Sequence, residues 1–396
     1  MKANKGSAGI DDQSIEEFER DLKNNLYKLW NRMSSGSYFP SPALLVEIPK
    51  KDRGKRPLGI PTVADRIAQT VVKLVLEPKL EPHFHPDSYG YRLQKSALEA
   101  LGVCRQRCWR IDWVLDLDIK GFFDNIRHDL LMRALRRHTD SKWVLLYIER
   151  WLSAPVQKRD GTLIERKRGT PQGSVISPLL SNLFLHYALD EWLRRKYSSV
   201  LFERYADDIV IHGRTRMGVE RLREAIKERL MECGLELHPE KTRIVYCKDE
   251  LRKGNWPIVS FDFLGYTFRP RSARTKRGRM FVNFSPAISQ KSKSGIYEKI
   301  RRWQLHRRTD LSLNDLTEWI NPSIRGWINY YGKYNKRALY LIFVNLNRIL
   351  FKWAKRKFKR LKGSLSKAIV WFSKIAVRDP KLFAHWELLR VIPTER

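Results

Sequence analysis

The sequence predicts an α+β fold, in which strands and helices mix up to about residue 286 and helices dominate afterwards. Short runs of alternating apolar and polar residues, such as 114–118, are typical of half-buried strands. Beyond residue 286, apolar residues recur every three or four positions, which is typical of amphipathic helices. The segment FKWAKRKFKRLK at 351–362 carries seven basic residues and no acidic one, and its spacing predicts a helix with one apolar face.

Length and composition set the scale of the fold. A chain of 396 residues exceeds one typical domain and suffices for two or three. With 42% hydrophobic residues the chain can bury a sizeable core, which excludes wholesale disorder. No apolar run reaches about 18 residues, so we do not expect a spanning helix. Of the possible partners, a membrane is not the expected one. The most apolar stretch, 338–351, contains Asn345, Asn347 and Arg348 and is predicted to be a core helix.

The charge balance points to a polyanionic partner. The chain has 77 Lys and Arg against 43 Asp and Glu, a net charge of +34. Such an excess repels itself unless an anionic partner neutralises it. Nucleic acid is the favoured partner, with binding that weakens as salt rises, and an anionic membrane surface is the competing interpretation.

The four cysteines indicate a reducing compartment. Cys104, Cys108, Cys233 and Cys247 do not form a disulfide framework in the sequence. Cys104 and Cys108 lie four residues apart on a predicted helix, but no second ligand pair at zinc spacing follows, so reduced thiols are favoured over a zinc site. The N-terminal residues contain no apolar signal core, and we expect a cytoplasmic, bacterial location.

Periodicity places the other elements in order. Helices are predicted at 13–33, 64–81, 129–138, 178–196 and 218–233. Strands are predicted at 46–48, 58–60, 114–118 and on both sides of Asp207. A charged turn at 50–55 joins the first two strands.

The stretch RYADDIVIHG at 204–213 puts two adjacent carboxylates between two short strands. One interpretation is an ordinary hairpin with an acidic tip, because Asp is favourable in turns. The other is a metal site, which requires a third carboxylate nearby.

The strand WVLDLDIKGFFDNI at 113–126 offers that carboxylate. Asp116 and Asp118 face the same side of the strand, and Asp118 lies at its end. Carboxylates suit Mg²⁺, and two ions about 4 Å apart stabilise the attacking and leaving oxygens in phosphoryl transfer. We expect Asp116 to be structural and Asp124 to cap the next turn.

Several ordered segments resemble a known family. They are RPLGIPTVADRIAQ (56–69), PDSYGYR (86–92), Asp118 with Phe122–Phe123, GTPQGSVISPLLSNLFLHYALD (169–190), YADD (205–208), HPEKT (238–242), FLGY (263–266) and SIRGWINYYGKY (323–334). In this order they resemble group II intron-encoded proteins, which combine reverse transcriptase and maturase. The resemblance spans nearly the whole chain.

The resemblance implies a right-hand polymerase with fingers and palm, an antiparallel palm sheet, an α-helical thumb or maturase (X) domain and a short basic helical tail. The predicted boundaries are a partial N-terminal extension at 1–48, fingers and palm at 49–267, a connector at 268–285, the maturase domain at 286–350 and the DNA-binding-like tail at 351–396.

It also implies roles for individual residues. Asp118 and Asp207 would bridge two Mg²⁺ ions, with Asp208 supporting them and the carbonyl of Ile119 adding a ligand. Lys241 matches the candidate general acid for the pyrophosphate leaving group, against the alternative of a solvated surface lysine.

Five residues are implied to bind substrate. Phe123 matches the steric gate that excludes a ribose 2′-hydroxyl, against the alternative of an ordinary core phenylalanine. Gln172 and Gly173 would pack under the templating base pair, where a small residue permits close approach. Arg56 and Arg66 would reach the incoming triphosphate, which suits bidentate guanidinium contacts.

The C-terminal third is implied to bind RNA. Arg325 and Tyr330 combine charge with an aromatic ring near Trp327, and Lys355 and Arg356 lie on the basic helix. For Trp327 a core position is favoured.

The expected function is RNA-directed DNA synthesis with two Mg²⁺, or Mn²⁺ as a substitute, from dNTPs on a DNA primer and an RNA template. The same chain would bind its intron RNA, aid splicing and support retrohoming at a DNA target. Alternatives are a maturase acting mainly as an RNA-binding cofactor, or a freestanding relative in phage defence, CRISPR adaptation or DNA repair. No endonuclease domain is expected, and a dimer is one option for the assembly.

Overall fold

A computed structural model describes residues 6–49, 54–275 and 277–389, and only the backbone of 55–56. The chain divides into two compact units. The first contains Met1–Cys104 and Trp113–Ile244, and the second contains Arg105–Asp112 and Val245–Arg396.

The first unit contains a sheet with the strand order β2-β1-β4-β5. Its strands are β1 (Ala43–Pro49), β2 (Lys55–Ile60), β4 (Val156–Gln157) and β5 (Leu163–Ile164). β1 and β2 pair antiparallel, with Leu44 opposite Ile60, whereas β1 and β4 pair parallel. The two strands predicted at 46–48 and 58–60 are therefore confirmed. The charged turn predicted at 50–55 lies mostly outside the described residues.

A second sheet in this unit has the order β6-β7-β3-β8. Its strands are β3 (Trp113–Leu117), β6 (Leu201–Tyr205), β7 (Asp208–Gly213) and β8 (Arg243–Tyr246), of which the last begins in this unit. β7 pairs antiparallel with both β6 and β3. Residues 209–212 of β7 are buried in succession, so both faces of this central strand are covered. The predicted antiparallel palm sheet is confirmed.

The described helices of this unit include α1 (Ile15–Arg20), α2 (Leu22–Ser34), α3 (Val63–Leu80), α4 (Ala97–Cys108), α5 (Phe122–Asn125), α6 (His128–Leu135), α7 (Lys142–Ser153), α8 (Ser177–Leu185), α9 (Glu191–Lys196) and α10 (Arg216–Glu232). Of these, α10 packs on β3 and β7, and α4 ends in the second unit. The helix predicted at 13–33 is interrupted at Asp21, whose φ of −124° is not helical. The helix predicted at 178–196 contains a π-helical turn, His186–Asp190, between α8 and α9.

The second unit begins with a three-stranded sheet where the sequence predicted a connector at 268–285. Its strands are β9 (Phe261–Phe263), β10 (Tyr266–Arg274) and β11 (Met280–Ile288), in the order β11-β10-β9. The segment assigned to the connector thus forms most of this sheet, and the domain boundaries stay predictions. Phe268 and Phe284 are fully buried against Phe261, whose ring stacks on Phe268 at 4.8 Å, and this packing stabilises the hairpin.

The rest of the second unit is helical. Its helices are α11 (Gln290–Trp303), α12 (Leu313–Tyr331), α13 (Tyr340–Lys357), α14 (Leu365–Arg378) and α15 (Trp386–Leu389). One apolar core joins them, with Trp353 fully buried and its indole N–H donating to the Arg308 carbonyl at 2.9 Å. The helix predicted at 351–362 is broken, because Phe358 adopts an extended conformation and ends α13. The described helices include none long and apolar enough to cross a membrane.

Candidate active site

The acidic pair lies at the tip of the β6–β7 hairpin. Tyr205 pairs with Asp208, so Ala206 and Asp207 form the two-residue turn between the strands. Ala206 has a φ of +57°, which is uncommon for a residue with a side chain. Asp207 is half-buried and Asp208 is exposed. The tip is therefore a two-residue hairpin turn, as the first interpretation of RYADD requires. It also carries the two adjacent carboxylates that the metal-site interpretation requires.

Asp118 follows directly after β3, beside that tip. The last pair between β3 and β7 is Leu117 with Ile209, so the next position along this register brings Asp118 next to Asp208. The Asp118 carbonyl accepts from the His238 N–H at 2.8 Å, and Ile119 forms a bridge with Leu237. These contacts fix the backbone of Asp118 and Ile119, the two residues that precede the turn at Lys120.

Lys241 lies beside the same carboxylate. Its ammonium nitrogen is 3.6 Å from Oδ2 of Asp118, and both side chains are accessible, with 57% and 37% of their surfaces exposed. Asp116, two residues earlier, pairs with Arg243 at 3.1 Å. The structure thus brings Lys241 to Asp118 and gives Asp116 a separate partner.

The GTPQGS loop packs against β2. The Gln172 carbonyl accepts from the Gly59 N–H at 2.8 Å. Gly173 has a φ of +112°, and a Cβ there would lie 2.8 Å from the Gly59 carbonyl oxygen. A side chain at 173 would therefore both strain the backbone and collide with β2.

A cavity of about 280 Å³ opens beside this loop. The lining includes Gly59, Asp124, Arg166, Arg168 and Gln172. The Arg166 guanidinium donates to the Gly169 carbonyl at 2.9 Å, and burial lowers the pKa of Arg166 to about 10, an effect that Asp124 opposes. The sequence reasoning missed Arg166 and Arg168. The available signal was the basic run ERKRG directly before the loop.

Phe123 is a mostly buried ring, with 8% of its surface exposed. It packs edge-on against Phe122 at 5.2 Å, and its carbonyl accepts from the Thr170 N–H at 2.8 Å. The ring thus lies in the core beside the GTPQGS loop, and its role as a steric gate stays a prediction.

The two arginines predicted to reach the triphosphate differ in what can be described. Arg66 is buried, and its guanidinium donates to the Ser7 carbonyl at 2.7 Å, which does not favour an exposed phosphate contact. Burial lowers the pKa of Arg66. The backbone of Arg56 pairs with Ile48, and its side chain lies outside the described residues.

Among the described residues, one group of three potential metal ligands converges within 4.8 Å, and it does not include the aspartates. It consists of Cys104, Glu203 and His212, all buried. Glu203 and His212 already share a hydrogen bond of 2.7 Å between neighbouring strands. This contact fits a structural cross-strand pair within the core of the first unit.

In the second unit, the predicted RNA-binding residues have different environments. Arg325 and Arg356 are both exposed, and the Arg356 guanidinium donates to the His306 carbonyl at 3.2 Å. Lys355 is half-buried. The Tyr330 hydroxyl donates to the Leu264 carbonyl at 2.8 Å, so this ring also supports the fold.

Trp327 packs against the core of the second unit. Its ring stacks on Trp303 with a centroid distance of 5.5 Å, and it borders the apolar cluster around Trp353. Trp327 is thus partly buried at the edge of the core, which agrees with the favoured interpretation in part.

Comparison with known proteins agrees with this geometry. Residues 48–268 match the model of the family "Reverse transcriptase (RNA-dependent DNA polymerase)". Residues 293–371 match "Group II intron, maturase-specific domain". The match to the first family covers more than half of the chain and includes all three aspartates.

Three individual proteins illustrate the similarity. YkfC of Escherichia coli (strain K12) is 32% identical over 69% of this chain and 78% of its own length. The group II intron-encoded protein LtrA of Lactococcus lactis subsp. cremoris is 27% identical over 94% of this chain and 74% of its own. Apo telomerase from Candida tropicalis, at 12% identity, aligns with 92% of this chain and 74% of its own with a TM-score of 0.50, and shows the fold alone.

The chain therefore belongs to the reverse transcriptase family, whose members are RNA-directed DNA polymerases that depend on divalent metal ions. Its C-terminal third carries the maturase-specific domain of group II intron proteins, so the expected combination of reverse transcriptase and maturase is confirmed.

Proposed function

We propose that this chain synthesises DNA on an RNA template at a two-magnesium site formed by Asp118, Asp207 and Asp208. The observation that carries the proposal is the register of the palm sheet. It brings Asp118, at the end of β3, beside the two-residue turn that contains Asp207. Three carboxylates at adjoining strand ends form the all-oxygen donor set that Mg²⁺ prefers.

When bound, the two metal ions stabilise the attacking and leaving oxygens during nucleotidyl transfer. Asp118 and Asp207 would hold the two ions, with Asp208 and the Ile119 carbonyl in support. Mn²⁺ offers the same preference for oxygen ligands and is the expected substitute.

Lys241 is proposed as the general acid for the leaving group. A cation 3.6 Å from Asp118 would lie within reach of the phosphate oxygens of a nucleotide whose metal ions that carboxylate holds. Its ammonium group can donate a proton to the leaving pyrophosphate oxygen as the bond between that oxygen and the α-phosphorus of the incoming nucleotide breaks. Its exposed position fits contact with a substrate that arrives from solvent.

The substrate would lie between the GTPQGS loop and the hairpin tip. Gly173, without a side chain, and Gln172 would support the templating base pair, and the edge of Phe123 would exclude the ribose 2′-hydroxyl. Arg166 and Arg168, which line the neighbouring cavity, add cations for the nucleic-acid backbone. Arg56 remains a candidate for the triphosphate, whereas the Arg66 contact with Ser7 makes Arg66 a weaker one.

The second unit is proposed to bind the chain's own intron RNA and to aid its splicing, with retrohoming into a DNA target as the biological outcome. The exposed cations Arg325 and Arg356 and the half-buried Lys355 support this role. Neither a defence nor a repair role is favoured by a particular contact. A bacterial cytoplasmic location and a possible dimer remain part of the proposal.

The test is primer extension on poly(rA)/oligo(dT) with Mg²⁺ and dTTP, comparing wild type with Asp207→Ala. We expect extension by the wild type and a loss of at least about 10³-fold in the variant, as expected when charge stabilisation at the reacting phosphate is removed. Asp129→Asn is the control, because Asp129 forms an exposed ion pair with Arg127 outside the site. Equal extension by wild type and Asp207→Ala would overturn the metal assignment.

A further inference from the structure

A fully buried ion pair lies directly behind the hairpin tip. Arg204 is the penultimate residue of β6, and Asp190 ends the π-helical turn. Both side chains have 0% of their surface exposed. The Arg204 guanidinium donates to both carboxylate oxygens of Asp190, with Nη2 to Oδ2 at 2.6 Å and Nε to Oδ1 at 2.9 Å. This two-pronged geometry holds the guanidinium plane in one orientation.

The free end of the same guanidinium reaches the catalytic turn. Nη1 of Arg204 donates to the Ala206 carbonyl at 3.2 Å and to Oδ1 of Asn182 at 2.9 Å. Ala206 is the left-handed residue, and its carbonyl belongs to the peptide that leads into Asp207. Arg204 therefore holds the peptide bond immediately before the proposed metal ligand.

The backbone of residues 87–90 also contacts Arg204 and Ala206 of the hairpin. The Arg204 N–H donates to the Asp87 carbonyl at 3.0 Å, and the Tyr89 N–H donates to the Arg204 carbonyl at 2.7 Å. Asn182 donates to the Gly90 carbonyl at 2.7 Å. A Cβ on Gly90 would lie 2.3 Å from the Ala206 nitrogen, so only glycine permits this approach.

The π-helical turn presents the carboxylate. π-helical turns insert one extra residue into a helix and occur frequently at functional sites. Here the turn ends at Asp190, whose side chain meets Arg204, while α8 supplies Asn182 to the same guanidinium. The irregular helix thus brings two ligands to one cation.

Stability alone does not account for this arrangement. Replacing a buried ion pair by well-packed apolar residues is often neutral or stabilising. A guanidinium fork offers instead a fixed direction for several hydrogen bonds at once. In this network the Arg204 guanidinium bonds to the Ala206 carbonyl, in the turn of the proposed metal site. Its other bonds, to Asp190 and Asn182, hold it to two helical segments.

We propose that Arg204, Asp190 and Asn182 are positioning residues, which fix the left-handed turn at Ala206 and thereby the direction of the Asp207 and Asp208 carboxylates. They touch no substrate and act through the hairpin. The inference rests on the proposed function, because it assumes that these carboxylates hold the metal ions.

The test uses Arg204→Lys in the full chain, since lysine keeps the charge beside Asp190 but loses the fork. Displacement of a reacting group by about 1 Å can lower a rate by roughly a hundred-fold, so we expect kcat for primer extension to fall roughly ten- to hundred-fold. The Mg²⁺ concentration for half-maximal rate should rise several-fold, whereas affinity for primer–template and KM for dTTP should change by less than about two-fold. Excess Mg²⁺ should restore part of the rate.

Asn182→Ala provides a second, milder variant with the ion pair intact, and it should shift the Mg²⁺ requirement in the same direction. The matched control is Asp249→Asn, which removes the partner of another largely buried arginine, Arg252, at 2.5 Å within the second unit. This control should leave the Mg²⁺ requirement unchanged.

Two results would overturn the inference. One is wild-type kcat and Mg²⁺ dependence in both variants. The other is a loss of rate in either variant that only follows its folded fraction, with an unchanged Mg²⁺ requirement, because the network would then be merely structural. The Asp207→Ala protein, assayed in parallel, separates the two proposals. If it extends primers like the wild type, the metal assignment fails, and if it is inactive while Arg204→Lys is normal, only the positioning inference fails.

Discussion

The two compact units differ in how deeply they bury charged side chains. Among the described residues of the first unit, six Asp, Glu and Arg side chains are buried, namely Asp65, Arg66, Glu77, Asp190, Glu203 and Arg204. In the described part of the second unit, the buried polar residues are Ser289, Thr317, Asn321 and His385, and none is Asp, Glu, Lys or Arg. The described part of the second unit therefore has an apolar core, and its charged side chains, including the largely buried pair of Arg252 and Asp249, all keep some contact with solvent.

This difference matches the two kinds of task. Chemistry on a phosphate requires charges held in fixed positions, and interactions within a protein interior are stronger than those in water. Contact with an RNA backbone requires exposed cations, whose contribution comes largely from release of counterions. Buried charges of the first unit, such as Arg204 with Asp190, can thus hold the proposed catalytic turn in place, whereas exposed cations of the second unit suit RNA binding.

The largest expected effect concerns the proposed metal site of the first unit. Asp118→Asn should lower primer extension at least about 10³-fold, because it removes a carboxylate charge at the reacting phosphate. Asp116→Asn, two residues earlier on the same strand, should change the rate only a few-fold, since Arg243 is its partner. Steady-state extension rates measure both variants. Equal losses in the two would show that the strand end has no special role.

The second prediction concerns the apolar core of the second unit. Trp353→Ala should lower the free energy of unfolding by about 3–5 kcal/mol, because it creates a cavity at a fully buried ring. It also removes the indole hydrogen bond to the Arg308 carbonyl. Urea unfolding followed by circular dichroism gives the value. A change below about 1 kcal/mol would mean that this core does not support the unit.

A third prediction uses two of the buried histidines, His186 of the first unit and His385 of the second. Burial lowers the pKa of His186 to about 4 and that of His385 to about 3. The unfolded chain, with an ordinary histidine pKa near 6.5, then binds more protons at acidic pH, so their stabilising contribution is complete above about pH 6.5 and is lost as pH falls.

The expected loss is about 2 kcal/mol per histidine at pH 5. His385→Gln should flatten the acid limb of the second unit's unfolding curve, since an amide can still bond to Asn347 without titrating. Thermal unfolding between pH 5 and 8 provides the comparison. An acid limb that is identical in wild type and variant would contradict a neutral, buried His385.

The smallest expected effect concerns exposed charge. Arg325→Ala and Arg356→Ala should each reduce the slope of log affinity for intron RNA against log salt by roughly one, if each contacts a phosphate. Filter binding at several salt concentrations measures the slope. Lys227→Ala, an exposed cation of the first unit, is the control and should leave the slope unchanged. An unchanged slope in both arginine variants would remove them from the RNA interface.

Local patterns were enough to predict the fold class, the palm strands and most helices, because periodicity depends on neighbouring residues. The hairpin at 266–288 was not predicted, since its stability comes from stacked rings on three strands. The break in the basic helix at Phe358 and the π-helical turn at His186–Asp190 also arise from packing, which periodicity does not contain.

The partners of the site residues were likewise only partly predictable from the sequence. The sequence pattern singled out Asp118, Asp207 and Asp208 because unusual charges interrupt apolar strands. It could not give the contact of Arg66 with Ser7, which joins residues 59 positions apart. Nor could it reveal that Tyr330 bonds to Leu264, or that the arginine before YADD is fixed by a distant carboxylate. Roles carried over from a motif do not specify which partner a side chain meets.

The most direct test of the separation between catalysis and binding uses one preparation of Asp207→Ala protein in two assays. Its affinity for intron RNA and its stimulation of splicing should equal those of the wild type within about two-fold, since the exposed cations are unchanged. Its extension of a primer on RNA should be lost. Simultaneous loss of splicing and extension, in protein that is folded, would contradict the separation, because both tasks would then depend on the Asp207 carboxylate.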